Sequence, residues 1–262
     1  MAMWSMGDPD APRAEKEKIE IYVQRGAMTP VGFTTDVPKG FDRDLTVGAL
    51  TVKNLCRDHN SALSPTDLAS KELTRALVDF VETSHARKKS GIVHPPKVLT
   101  VDGALLERWF LKTVLTHLAG AEGLPIGSPE PAPDTPTGAL VEMAFGRRPI
   151  VPPIGLWLAS YVDEQVSTRQ DFSMLPIIKD GIYVTALLFI FRGIRFVVGL
   201  DADLPPPIEA VRAQPGWRRA VLHQPCRIIE ADGLNVSIRF EWTNHWAAGD
   251  TSSLGHLRMT LA

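Results

Sequence analysis

The sequence predicts an α+β protein, and three observations carry that prediction. Apolar residues recur at helical spacing between positions 64 and 118. A stretch dense in proline and glycine follows at 120–138. Beyond it, short β-branched or alternating runs separated by turn residues continue to position 262. The expected organisation is a disordered tail at 1–18, a helical region at 19–119, a linker at 120–138 and a β-rich antiparallel region at 139–262.

The N-terminal elements follow from local chemistry. Residues 1–18 are polar. Ile19 to Gln24 alternates like a strand, Gly26 to Asp44 reads as loop, and Thr46 to Leu55 has β character. Ser64 suits a helix cap, Pro65 the first helical position, and Asp67 the positive end of the dipole. Leu68, Leu73, Leu77, Phe80 and Val81 then give a helix to about Arg87, ending in cations. Val98 to Val101 is a short strand. Asp102 is placed to cap a second helix through about Leu118, with Leu105, Leu106, Trp109, Phe110 and Val114 on a broad core-facing side. Asp102, Glu107 and Arg108 read as surface or cap residues.

After the linker, Ala139 to Phe145 reads as a short helix and Gly155 to Tyr161 as a short apolar piece. Gly181 to Leu200 is as long as a membrane span, but Arg192 and Arg195 lie in its second half. Each central arginine costs about 2.5–3.5 kcal/mol on insertion. The run is therefore expected as a buried hairpin turning at Arg192-Gly193. A second hairpin is expected from Arg227 to Trp242, with Asp232-Gly233 as a primed turn. Leu254 to Leu261 adds a last strand.

Composition narrows the function classes. The net charge is −2, so no overall basic excess advertises nucleic acid. Local clusters stand at Arg87-Lys88-Lys89, Arg147-Arg148 and Arg218-Arg219 and read as solvated surface. The two cysteines, Cys56 and Cys226, are too few for a disulfide framework and fit a reducing compartment. The first residues show no basic-then-apolar leader, so the expected location is the cytoplasm, with no membrane partner. No Gly-x-Gly-x-x-Gly run, Walker loop or Gly-x-Ser-x-Gly elbow is present. His223 and Cys226 flank Pro225 and read as a strand-entry loop.

The locally distinctive motif is Cys56-Arg57-Asp58-His59-Asn60. Cys56 and His59 have the spacing of a zinc knuckle, in which a turn aims thiolate and imidazole at one ion. The run Asn54-Leu55-Cys56-Arg57-Asp58-His59-Asn60 resembles the second half of an HNH-type, treble-clef nuclease motif. It is also similar to an N-terminal element of uncharacterised bacterial proteins with an Leu-Cys-x-x-His-Asn-x-x-Leu-Ser pattern. The resemblance implies a strand, a knuckle and a helix, with Cys56 and His59 as ligands of zinc or another divalent metal. It implies His59 and Asn60 as the catalytic candidates.

The departures from that family are specific. A structural zinc needs about four ligands, and no cysteine precedes Cys56 in this sequence. A hydrolytic HNH site needs an upstream histidine to activate water, and His59 is the first histidine. Asp36, Asp42 and Asp44 are upstream carboxylates, none followed by histidine. The sequence thus points to a degenerate, non-catalytic HNH-like remnant that binds nucleic acid or protein. The competing readings are a metal-dependent endonuclease using His59, Asn60 and one of those aspartates, and a structural or interaction domain. In the last, Cys56 is a small buried residue and His59 with Asn60 caps the helix.

Overall fold

The computed structural model describes residues 2–5, 18–19, 33–34, 45–46, 57–120, 136–160, 165–166, 171–180, 183–191, 194–203, 205–212, 220–225, 227–242 and 256–261. The helices are α1 (Arg57–Ser90), α2 (Gly103–Gly120), α3 (Pro136–Ala144) and α4 (Ile208–Arg212). The first strands are β1 (Ala2–Ser5), β2 (Lys18–Ile19), β3 (Phe33–Thr34), β4 (Leu45–Thr46), β5 (Lys97–Asp102), β6 (Gly155–Ser160) and β7 (Gln165–Val166). They are followed by β8 (Asp171–Lys179), β9 (Tyr183–Phe191), β10 (Ile194–Gly199), β11 (Val221–His223), β12 (Ile228–Ala231), β13 (Val236–Glu241) and β14 (His256–Leu261). The architecture is α+β, with long helices in the N-terminal part and antiparallel sheet in the C-terminal part.

Among the described residues, the larger sheet runs β1-β8-β9-β10-β6-β11, with β3 also on β8, and every pair in it is antiparallel. The second runs β5-β13-β12-β14-β7 and is mixed. There β12–β13 is antiparallel, whereas β5–β13, β12–β14 and β14–β7 are parallel. β2 and β4 form a separate antiparallel pair. Within the stretch expected as a disordered tail, Ala2–Ser5 pairs with β8 as β1.

Helix α1 begins seven residues before the expected cap, at Arg57 rather than Ser64, and Pro65 lies inside it. Proline lacks an N–H, so Ser61 loses its usual partner four residues on. Packing outweighs that loss: Leu63 and Thr66, on either side of Pro65, are both buried, and the Thr66 hydroxyl donates to the Leu63 carbonyl at 2.7 Å. Leu73, Leu77, Phe80 and Val81 are buried as the periodicity predicts, whereas Leu68 faces solvent. Asp58 lies in the first turn and Arg87, Lys88 and Lys89 in the last, complementing the dipole at both ends. Asp102 caps α2 as expected, its Oδ1 accepting the Leu105 N–H at 2.9 Å. α3 starts at Pro136, earlier than Ala139, because proline fits a first helical turn.

The apolar run at 181–200 folds as the hairpin β9–β10, with Phe191 opposite Ile194. In β9, Thr185 is an extra residue, since Ile177 pairs with Ala186 and Ile178 with Val184. Across this strand pair Ile177, Ala186 and Leu188 face one side, while Ile178, Val184 and Leu187 face the other. The second hairpin forms, but its connection differs from a primed two-residue turn. Ala231 pairs with Val236, leaving Asp232–Asn235 as the loop. Gly233 has φ 69° and Asn235 φ 55°, while Asp232 keeps a negative φ. A type I′ turn needs two consecutive positive values.

One core joins the chain on both sides of 120–138. It contains Leu77 and Phe80 of α1, Leu106 and Phe110 of α2, Leu140 of α3, and inward residues of both sheets. Phe110 sits at its centre. Its ring lies 4.8 Å from Phe189 and 5.5 Å from Phe196, both in the larger sheet. Phe196 in turn reaches Phe240 of the second sheet at 6.4 Å. A smaller core on the opposite face of the larger sheet packs Ile177, Leu188 and Val197 against Ala210 and Val211 of α4.

Two substitutions test this packing. Phe110→Ala is expected to lower unfolding free energy by about 3–5 kcal/mol, read as a shift in denaturant midpoint. Gly103→Ala is expected to destabilise by about 1–3 kcal/mol, because its Cβ would lie 2.8 Å from the buried Trp242 ring. Wild-type stability in that variant would show that the ring does not press on α2.

Candidate functional site

The motif residues occupy one end of α1. Arg57 is the first helical residue, so His59 and Asn60 fall in the first turn of α1 rather than in a loop ahead of it. The helix therefore starts within the motif and not a few residues after it, while a knuckle with Cys56 falls outside the described residues. Successive helical residues are about 100° apart around the axis. Cys56 and the aspartates Asp36, Asp42 and Asp44 lie outside the described residues, as does Cys226. Among the described residues, no group of three or more His, Cys, Asp or Glu is placed to hold a metal ion.

The opposite end of α1 is a dense polar junction. Arg87 Nη1 donates to the carbonyls of Leu234 at 3.0 Å and Asn235 at 2.9 Å. Asn235 Nδ2 donates to the His94 carbonyl at 3.0 Å, and the Lys97 N–H donates to the Asn235 carbonyl at 2.8 Å. The left-handed backbone of Asn235 lets one residue make these contacts with both neighbours. The Ser90 hydroxyl donates to the Arg87 carbonyl at 2.8 Å and lies 2.8 Å from His94 Nε2. The same hydroxyl oxygen accepts the Ile92 N–H at 3.4 Å, so these contacts close the helix end.

Two ion pairs hold α1 to its neighbours. Lys112 of α2 reaches both carboxylate oxygens of Asp67, at 2.6 and 2.7 Å. Lys97 of β5 reaches Asp79 at 2.5 Å and Thr83 at 3.0 Å, while Thr83 also donates to Asp79. The hydrogen bond from Lys97 holds the Asp79 carboxyl below its ordinary value of 3.8, against a smaller opposing effect of burial.

Glu107 is the polar residue that sequence reasoning misplaced. It was expected at the surface and is 1% exposed. Its Oε1 accepts the Leu156 N–H at 2.7 Å, tying α2 to the start of β6. Gly155 has φ 111°, and a Cβ there would lie 2.2 Å from that same oxygen. The spacing of Glu107 against Leu106 and Phe110 was the available signal, because all three fall on one side of the helix. The adjoining loop is held by further bonds. Gln224 Nε2 donates to the Ile154 carbonyl at 2.9 Å, and Trp157 Nε1 donates to the Pro153 carbonyl at 3.0 Å. Beside Gln224, His223 pairs in register with Leu158, and burial pushes its pKa below 6.5.

One arginine in each of two basic clusters is engaged locally. Arg87 bonds two carbonyls, as above. Arg147 donates to Glu142 at 3.2 Å and lies over the Phe145 ring at 5.2 Å. Arg218 and Arg219 lie outside the described residues. Among the described residues no helix is long and apolar enough to cross a membrane. No family model, curated protein or solved structure matches the chain.

The polar contacts generate two predictions. Glu107→Ala leaves the Leu156 N–H buried without its acceptor and is expected to lose about 1–3 kcal/mol, whereas Glu107→Gln keeps an acceptor oxygen and loses less; equal losses in chemical denaturation would contradict the hydrogen-bond role. The two shifted groups act on stability with the same sign. For His223 the folded state resists protonation, so its contribution is complete above 6.5 and declines as pH falls through the folded value. For Asp79 the paired carboxylate stabilises above 3.8, and that contribution is lost as pH falls through the lowered folded value. Midpoints measured from pH 7.5 to 3 should fall in both ranges; His223→Gln should flatten the upper part and Asp79→Asn the lower.

Proposed function

We propose that this chain is a non-catalytic binding protein of the cytoplasm, built on an HNH-like remnant, with nucleic acid or protein as its partner and no membrane partner. The observation that supports this reading is the placement of His59 and Asn60 in the first turn of a 34-residue helix. In the family that the motif resembles, the knuckle residues stand where a strand gives way to a helix. Here His59 and Asn60 stand in the first turn of α1, and within the given sequence no histidine precedes His59 to activate water. The element that carries the resemblance is therefore coupled to the core through α1 itself, by Leu63, Leu73 and Phe80.

The deciding experiment titrates the purified full chain with labelled duplex and single-stranded DNA and RNA at low and raised salt. Nucleic-acid binding is expected to weaken steeply with salt, since phosphate contacts release counterions. No binding at low salt would remove nucleic acid and leave a protein partner. Incubation with magnesium, manganese or zinc is expected to give no cleavage. Metal-dependent cleavage abolished by His59→Ala would overturn the proposal in favour of an endonuclease. Elemental analysis of protein purified without a histidine tag tests Cys56 and His59 as metal ligands separately from either outcome.

A further inference from the structure

We draw no further inference here: the strongest candidate, the Ser90–His94 side-chain pair at the C-terminal end of α1, carries nothing because its hydroxyl and imidazole close the helix end and the described residues place beside it no further group that points to a ligand.

Discussion

The contact of Phe110 with Phe189 and Phe196 is the interaction on which the rest of the structure depends. It fixes α2 against the larger sheet, and Phe196 carries the contact on to Phe240 in the second sheet. Each aromatic pair adds about 0.5–1.5 kcal/mol beyond area burial, so the larger effect is geometric. One ring meets helix and sheet at once, and neighbouring features must conform to it. Asp102 ends β5 and starts α2 within one residue. Gly103 leaves room for Trp242, and Glu107 meets the first strand of the larger sheet that follows the helices.

The polar contacts act around this centre and do not replace it. Lys112–Asp67 and Lys97–Asp79 are partly exposed pairs, which contribute modestly. Their value is directional. The first sets α2 along α1, and the second sets β5 beneath it. Arg87 then ties the last turns of α1 to the β12–β13 connection. α1 is thus anchored along its length, and the motif residues at its first turn are carried on a helix whose later turns are part of the core.

The candidate site was legible in residue type more than in geometry. Cys56, His59 and Asn60 were readable as a motif because their spacing is local. That His59 and Asn60 lie within α1 was not readable, since Pro65 marks a helix start by its own chemistry. The burial of Leu63 and Thr66 overrode that local preference. Glu107 was misread for a related reason. A carboxylate beside arginine suggests surface, and only the approach of β6 supplies the amide that makes its burial favourable.

The sequence by itself determined the α+β class, the two long helices, the Asp102 cap and both C-terminal hairpins. These depend on periodicity, turn residues and caps, all of which act over a few neighbouring positions. Tertiary structure decided the parallel pairing of β5 with β13 and the larger core shared across 120–138. It also decided the left-handed Asn235, the buried Glu107 and the true start of α1. Those features depend on partners more than 40 residues away in several cases, Glu107 with Leu156 and Arg87 with Asn235 among them. No local pattern encodes such a partner, because its hydrogen bonds and packing exist only once the chain has folded.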